Sequence, residues 1–216
     1  MKWAAAISVA GALILQGCGN GGVSERLINV ASGETAPSQS VTQARFQRLL
    51  QAKQGPARNV QIEGTGIRGG FLREARRGTK ETWLGTDGVT LTFDRGVLAG
   101  TAGFGAALQA ADVAPTASAV LAGRTTQVER VHSLLSGNDT TILRAFVCDI
   151  EVSGSEVIDL DTGNTRTRKM TETCYSLDTT FTNEYWVDPR RGAIVQSRQW
   201  AGEEVGTLRI RNVYNF

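Results

Sequence analysis

The sequence predicts a mainly β protein, in which a single antiparallel, curved and meandering β-sheet carries one to three short helices. Over much of the chain, short runs of residues alternate between apolar and polar, as they do in strands with one buried face. Turn signals rich in Asp, Gly and Asn, as at 86–88 and 161–164, separate these runs. A repeating strand-helix-strand order is absent, so neighbouring strands are expected to pair antiparallel.

The first half of the folded part is expected to contain one helix and five strands. The helix is predicted at 41–53, because Phe46, Leu49 and Leu50 fall at helical spacing. In the strand predicted at 89–93, Val, Leu and Phe point to one face and the threonines between them point to the other. The five strands are predicted at 60–64, 66–75, 79–84, 89–93 and 97–101.

The second half begins with a segment of different composition. Residues 104–123 are rich in Ala and include Pro115, which predicts one or two short helices across an end of the sheet. Beyond them the alternating pattern returns and predicts further antiparallel strands. Six strands are predicted at 125–134, 140–152, 166–177, 180–187, 193–200 and 205–214.

The N-terminus has the layout of an export signal. Lys2 is followed by an apolar run over 3–15, which is too short for a membrane-spanning helix of about 20 residues. The run ends in Leu-Gln-Gly-Cys at 15–18, which resembles a lipobox except that its second residue is larger than usual. We therefore predict a lipoprotein signal peptide over 1–17 and lipidation of Cys18. An ordinary secretory peptide with an incidental cysteine is the alternative.

The signal is followed by a predicted tether and one predicted domain. Residues 18–40 are rich in Gly, Ser, Asn and Thr without a sustained apolar period, which is typical of a flexible linker. Residues 41–216 are predicted to form a single, mostly β domain with its own core. Several acyl chains on Cys18 would anchor this domain firmly. By resemblance to bacterial sorting rules, Gly19 rather than Asp favours the outer membrane, with the domain facing the periplasm.

The charge of the chain excludes one class of partner. The formal net charge is only +2. The basic residues are scattered rather than clustered. We therefore expect neither a nucleic-acid partner nor a polybasic lipid-binding patch.

Two cysteines remain once Cys18 carries lipid, and an even number in an exported domain favours a disulfide between Cys148 and Cys174. Their midpoint is residue 161, at the start of the turn signal at 161–164. A regular hairpin would place the two cysteines opposite each other, within disulfide distance. The alternative is a bulge near Gly154, which would shift the register and remove this symmetry.

The motifs in the chain predict no catalytic residue, no metal site and no cofactor. The tripeptide Asp-Thr-Gly at 161–163 resembles an aspartic-protease motif, but it occurs once and suits a hairpin tip better. A calcium loop that began at Asp159 would place Met170, which cannot bind calcium, at its twelfth position. His132 is the only histidine and lacks the partners of a hydrolase or zinc site, so it is expected to face solvent or to be satisfied in the core.

Four aromatic residues are the candidate contacts to a glycan or a partner: Trp83, Tyr185, Trp186 and Trp200. Their flat rings could stack on the apolar face of a sugar, whereas the alternative is that they are core or rim residues of the sheet. Tyr185 and Trp186 are adjacent in one strand and must face opposite sides. We expect Trp186 to be buried and Tyr185 to be available at a surface.

Two groups of motif residues, together with the lipobox, resemble the YjbF/GfcB lipoproteins, the group 4 capsule polysaccharide lipoprotein family. The first group follows Trp83, and the second extends from the Asn-Glu-Tyr-Trp-Val-Asp run at 183–188. The resemblance covers nearly the whole mature chain. The family-motif positions are Asp87, Gly88, Gly96, Thr101, Gly103, Asn183, Asp188, Gly192, Ser197 and Gln199.

The resemblance implies an outer-membrane lipoprotein that acts as a non-enzymatic accessory in exopolysaccharide or capsule production or export. It implies a β-barrel or another exopolysaccharide-secretion protein as partner and allows direct contact with polysaccharide. Two alternatives stay open. A carbohydrate-modifying enzyme of the periplasm would need two facing carboxylates about 5 to 10 Å apart in a groove. A general envelope lipoprotein that binds apolar cargo would need a large apolar cavity.

Overall fold

The computed structural model of the protein describes residues 38–105, 107–135 and 140–216. Within them, Gln39–Phe216 form one compact unit. The predicted signal peptide at 1–17, the lipidated Cys18 and the predicted tether up to residue 37 lie outside the described residues.

The described residues form two helices and twelve strands. Helix α1 spans Ser38–Ala52 and helix α2 spans Ala114–Ala122. The strands are β1 (Ala57–Ile62), β2 (Arg68–Arg77), β3 (Lys80–Gly85), β4 (Thr90–Asp94), β5 (Val97–Ala102), β6 (Leu108–Asp112), β7 (Thr126–Leu135), β8 (Thr141–Leu160), β9 (Gly163–Tyr175), β10 (Thr180–Asp188), β11 (Ala193–Trp200) and β12 (Thr207–Val213).

All twelve strands belong to one antiparallel sheet, in the order β5-β4-β3-β2-β1-β12-β11-β10-β9-β8-β7-β6. The first and last of the described strands, β1 and β12, pair with each other in the middle of the sheet. The two edge strands, β5 and β6, follow each other in the order of described strands. The edges also touch, because Thr101 Oγ1 on β5 donates a hydrogen bond to the Leu108 carbonyl on β6 at 2.9 Å. The sheet is therefore curled into a nearly closed cylinder. The predicted single, curved and antiparallel sheet is confirmed.

A glycine permits this close approach of the two edges. A Cβ atom at Gly100 would lie 2.6 Å from the Gln109 carbonyl oxygen, which is a distance that real Cβ atoms do not adopt. Any larger residue at this position would push β5 away from β6.

Of the one or two short helices predicted within 104–123 the structure contains one, and it contains a strand that was not predicted. Residues Leu108–Asp112 form strand β6, which pairs with β7, and only Ala114–Ala122 is helical. Pairing at the open edge of the sheet overrides the helical preference of the alanines. Asp112 accepts a hydrogen bond from the Ala114 N–H at 3.2 Å. Pro115 lies in the first turn of the helix, where a backbone N–H would have no partner within the helix, so its missing N–H costs nothing.

The main core fills the interior of the cylinder. Buried side chains from every part of the sheet meet there, and α2 contributes Ala117, Ala119 and Val120 to the same cluster. The largest fully buried side chains of the described residues include Trp83, Tyr185, Phe93 and Phe146. The interior is thus occupied by protein side chains.

The hairpin of β8 and β9 is much longer than predicted, since β8 continues to Leu160 rather than ending at 152. Cys148 pairs with Cys174 in the ladder, and the structure joins them by a disulfide. Leu160 pairs with Gly163, so the turn contains two residues, and an unbroken ladder would set Cys148 opposite Tyr175. The bulge between Val152 and Gly154 absorbs this offset. The expectation that a bulge would destroy the alignment is therefore wrong, because the bulge creates it.

The distal half of this hairpin lies across the outer face of the sheet. Asp161 at its tip accepts a hydrogen bond from the backbone N–H of Tyr214, which follows β12, at 2.7 Å. Strands β10 and β11 separate β9 from β12 within the sheet. Neighbouring strands are about 4.8 Å apart, so the tip can reach Tyr214 only by crossing over them. Ile158 and Leu160 then cover Trp186 and Val195 in a second, outer cluster.

The disulfide is expected to stabilise the domain by closing this hairpin. The cysteines are 26 residues apart. The double variant Cys148→Ala/Cys174→Ala should lower the free energy of unfolding by about 3 to 4 kcal/mol, because the unfolded chain regains its loop entropy. Urea unfolding of both proteins measures the loss, and the reduced wild-type protein is the control. An unchanged unfolding midpoint in both would contradict the prediction.

Candidate functional site

A buried carboxylate stands at the centre of the interior. Glu172 on β9 is fully buried. Its Oε1 accepts a hydrogen bond from Thr116 Oγ1 of α2 at 2.8 Å. Its Oε2 accepts hydrogen bonds, each 2.7 Å long, from Arg130 Nη1, Asn183 Nδ2 and Tyr185 Oη. One side chain therefore links α2, β7, β9 and β10.

The network holds a charged pair. Burial by itself raises the pKa of Glu172, but the Arg130 charge and the donated hydrogen bonds together hold this pKa below its ordinary value of 4.5. Burial, and then the Glu172 charge, raises the pKa of Tyr185 well above its ordinary value. Glu172 is thus ionised and Tyr185 is protonated at neutral pH. All four partners donate to the carboxylate, which is closed to solvent, so the network is suited to holding the fold and not to binding a ligand.

Asn183 and Gln199, two of the motif residues, bind backbone groups. Asn183 Oδ1 accepts a hydrogen bond from the Trp200 N–H on β11 at 2.8 Å. Gln199 accepts one from the Leu98 N–H at 2.7 Å and donates to the Gly96 carbonyl at 3.0 Å. Both partners of Gln199 belong to the β4–β5 region, far from β11 in the sheet order. Gln199 therefore spans the interior and ties opposite walls together, with Ser197 accepting its other N–H at 2.9 Å.

The other motif positions lie in turns and at strand ends. Asp87 Oδ1 accepts a hydrogen bond from the Val89 N–H at 3.1 Å, and Asp188 Oδ1 accepts one from the Arg190 N–H at 2.8 Å. Thr101 links the two sheet edges, as described above. The motif glycines have positive φ angles: Gly88 (89°), Gly96 (93°), Gly103 (94°) and Gly192 (59°).

The candidate aromatic contacts are mostly enclosed. Trp83, Tyr185 and Trp186 are buried, and only Trp200 is partly exposed. The expectation that Tyr185 is available at a surface is wrong. Tyr185 faces the interior, and Trp186 on the outer face is covered by the folded hairpin and donates a 2.7 Å hydrogen bond to Glu156. Glycan contact by these residues stays a prediction.

His132 is buried in an aromatic cluster at the end of the cylinder where β10 begins. Its ring centroid lies 4.8 Å from that of Phe146, 5.6 Å from that of Phe181 and 5.8 Å from that of Trp200. Neither ring nitrogen has a hydrogen-bond partner among the described residues, contrary to the expectation of exposure or core hydrogen bonding. Burial, followed by the Arg130 charge, lowers the pKa of His132 to about 3, so the imidazole is neutral at pH 7.

An open groove of about 430 Å³ lies at the opposite end of the cylinder, where β10 ends and β11 begins. We call it the arginine groove, because five arginines line it and Glu81 is the one carboxylate among its described lining residues. The arginines come from β1, β2, the β4–β5 turn and the β10–β11 turn. They are Arg58, Arg73, Arg76, Arg95 and Arg191.

Arg58 forms the base of this groove and is only 6% exposed. Its guanidinium carbon lies 4.0 Å from the ring centroids of both Trp83 and Phe93, so the cation is held between two aromatic faces. Glu81 is 3.8 Å away, beyond hydrogen-bond distance. Burial lowers the pKa of Arg58 to about 10, so the side chain remains charged at neutral pH.

A second groove, of about 520 Å³, adjoins the β10–β11 turn beneath the tip of the long hairpin. Arg166, Arg190 and Arg191 line it, and Asp188 is its one carboxylate among the described residues. Arg191 lines both grooves. Sequence reasoning singled out Trp83 but none of the groove arginines, because they are scattered along the chain and only closure of the sheet gathers them.

The interior side chains that could bind a metal ion are already bonded to other groups of the protein. Donor atoms of Cys148, Glu172 and Cys174 lie within 4.8 Å of one another, and no other group of three such residues was found among the described ones. The two sulfurs are bonded to each other and the carboxylate accepts four hydrogen bonds, so this group does not form a metal site. Within the described part of the chain, neither helix has the length and apolar character needed to traverse a bilayer.

Removal of the central carboxylate is expected to destabilise the domain strongly. Glu172→Ala leaves Arg130 buried without a counter-charge and should lower the free energy of unfolding by about 3 to 5 kcal/mol. The matched control is Glu203→Ala, because Glu203 also pairs with an arginine but its side chain is 66% exposed. The control should cost less than about 1 kcal/mol. Equal losses in urea unfolding would contradict a central role for Glu172.

The same pair predicts a pH dependence. Because the pKa of Glu172 is lowered in the folded state, its stabilisation is present above its ordinary value of 4.5 and is lost as the pH falls through the folded-state pKa. Glu172→Gln lacks this contribution. The stability difference between the wild type and Glu172→Gln should therefore shrink as the pH is lowered from 5 to 2. A difference that stays constant over this range, measured by urea unfolding, would disprove the linkage.

Comparisons with known proteins identify the family. Residues 35–213 match the family model described as "Group 4 capsule polysaccharide lipoprotein gfcB, YjbF". The crystal structure of the hypothetical lipoprotein YmcC from Escherichia coli (K12) is similar with a TM-score of 0.66 and 18% sequence identity, over 74% of this chain and 87% of that chain. At this identity the likeness shows a shared fold alone. None of the curated proteins matches the sequence. The family match spans most of the chain and confirms the predicted resemblance: the chain belongs to the group 4 capsule polysaccharide lipoprotein family, YjbF/GfcB.

Proposed function

We propose that this protein is an outer-membrane lipoprotein that acts as a non-enzymatic accessory in capsule or exopolysaccharide production or export. The observation that carries the proposal is the family match over residues 35–213. The accessory docks onto a β-barrel or another secretion protein, or onto the emerging polysaccharide.

The anchor of the proposed lipoprotein is Cys18. Removal of 1–17 leaves Cys18 as the new N-terminus, and several acyl chains on this residue hold far more firmly than one reversible chain. In this proposal residues 18–40, the last three of which belong to helix α1, are the tether and 41–216 are the periplasmic domain. Gly19 supports sorting to the outer membrane.

The carboxylates that line the two grooves favour binding over glycoside cleavage. A glycosidase needs an acid and a second carboxylate facing each other across its groove. The arginine groove has only Glu81 in its described lining, and the second groove has only Asp188. Glu81 accepts a hydrogen bond from Arg73 at 3.0 Å, and Asp188 holds the β10–β11 turn. Both carboxylates are thus engaged in the structure.

An apolar cargo is less well supported. The interior of the cylinder is filled by its own side chains and by the Glu172 network. The second groove is lined largely by charged and polar residues, and about half of the residues that line the arginine groove are charged or polar. Such grooves suit a polar, anionic ligand better than a lipid-like one.

Deletion and complementation test the proposed function. Cells without the gene should release or display less polysaccharide than wild-type cells, and the wild-type gene should restore it. Cys18→Ser should fail to restore it, because the domain no longer reaches the membrane. Separation of inner and outer membranes locates the protein, and mass spectrometry of the native product detects the acyl chains. Normal polysaccharide in the deletion strain, or an unmodified thiol at Cys18, would refute the proposal.

A further inference from the structure

We propose that the arginine groove binds the carboxylate of an acidic sugar unit, of the uronic-acid class, in the polysaccharide that the protein serves. The inference rests on the proposed function and names the chemical class of its ligand. Three observations support it: the positive charge of the groove, the incomplete pairing of Arg58, and the arginines that already lie over the aromatic rings.

The groove carries more positive charge than its own carboxylates balance. Glu81 is shared, because it accepts a hydrogen bond from Arg73 at 3.0 Å and also lies 3.8 Å from Arg58. Arg76 donates to the Gly78 carbonyl at 3.2 Å and forms no ion pair with a described residue.

The two other arginines are paired with acidic neighbours. Arg95 contacts Asp94 at 3.3 Å, and Arg191 contacts Asp188 at 2.7 Å. Five arginines therefore face three nearby carboxylates, and the end of the cylinder is left with an excess of two positive charges. A field of one sign in a groove concentrates ligands of the opposite charge.

Arg58 is the buried arginine of the groove, and Glu81, at 3.8 Å, is a weak counter-charge for it. A buried guanidinium is costly unless it is paired and hydrogen-bonded. Nε and Nη1 of Arg58 have no hydrogen-bond partner among the described residues, and neither has Nε1 of the adjacent Trp83. Two residues that line the groove thus hold three buried donors that have no acceptor among the described residues. A carboxylate seated there would supply the charge that Glu81, at 3.8 Å, supplies only weakly.

The aromatic rings favour recognition of charge over stacking on a neutral sugar. The Arg58 guanidinium lies over the face of Trp83, and Arg191 lies 4.8 Å from the ring centroid of Tyr214. These faces are therefore partly covered by cations. A neutral sugar would have to displace an arginine in order to stack, whereas an anionic sugar can bind the arginines where they are.

The shape of the site fits one part of a chain rather than an isolated molecule. The arginine groove, at about 430 Å³, is open, and the second groove, at about 520 Å³, continues the arginine lining past Arg191. Each volume is within the range of ordinary ligand sites, about 300 to 1,000 Å³. A linear polysaccharide could place one acidic unit in the arginine groove while its neighbours lie in the second groove.

The binding test uses the full-length protein in detergent and two ligands of the same shape. Trigalacturonic acid carries free carboxylates, and its methyl ester carries the same sugars without charge. Calorimetry should detect binding of the acid, and the ester should bind at least about 10-fold more weakly, because hydrogen bonds to a charged group are lost. Binding of the acid should also weaken as salt is raised. Inorganic phosphate, titrated alone, distinguishes a sugar site from a site for any anion.

Substitutions of single arginines inside and outside the groove assign the binding to the groove. Arg58→Gln should weaken binding of the acid by about 10- to 100-fold. Arg76→Gln should weaken it several-fold and is expected to fold normally, because Arg76 is exposed. The matched control is Arg68→Gln, since Arg68 is an exposed arginine at the other end of the same strand, β2. Urea unfolding checks that Arg58→Gln is folded, and Arg76→Gln carries the test if it is not.

The proposal is supported if the groove variants lose binding of the acid and the control variant keeps it. Equal binding of acid and ester, equal loss in Arg68→Gln and Arg76→Gln, binding of phosphate in place of the acid, or no binding at all would overturn it. These results are independent of the deletion experiment. If deletion lowers polysaccharide but the acid does not bind, the proposed function stands and this inference fails.

Discussion

Closure of the sheet is the constraint on which the rest of the structure depends. A twelve-stranded antiparallel sheet with two free edges would expose unpaired backbone groups at both. Here the edges, β5 and β6, are consecutive in the chain and meet through the Thr101 hydroxyl, with Gly100 leaving room for the approach. Gln199 reinforces the closure from within, because it binds the backbone of the opposite wall at Leu98 and Gly96. The family motif thus coincides in part with the groups that close the cylinder.

A closed cylinder must fill its own interior, and this sheet does so with a helix and a buried ion pair. Helix α2 lies against the inner face, and Glu172 joins it to three strands through Thr116, Arg130, Asn183 and Tyr185. Such a pair stabilises little compared with an apolar core, but the loss of one partner is costly, so it specifies one arrangement of α2. The interior is consequently structural, and ligand binding is left to the ends and the outer face.

The long hairpin and the arginine groove follow from the same architecture. The distal half of the hairpin covers Trp186 and is held at Tyr214 by a hydrogen bond. This placement of the hairpin forms the second groove beside the β10–β11 turn. At this end of the cylinder, strands from distant parts of the sequence converge. Arginines of these strands and of the turns between them form one positively charged rim around Arg58. An accessory that meets an anionic polymer would need such a rim and would not need a catalytic pair.

The sequence by itself determined most of the strand pattern, the antiparallel class, the presence of short helices and the family, because alternation, turn residues and motif spacing are local properties of the chain. It did not determine strand β6, since the alanines of 108–112 favour a helix until β7 offers backbone partners. Nor did it place Tyr185 inside, or pair Arg130 with Glu172. Tertiary structure also decided the arginine groove, because five arginines far apart in the chain become neighbours only when the sheet curves and closes. Local patterns fix which face of a strand is buried, whereas the curvature of the whole sheet fixes which buried or charged groups meet.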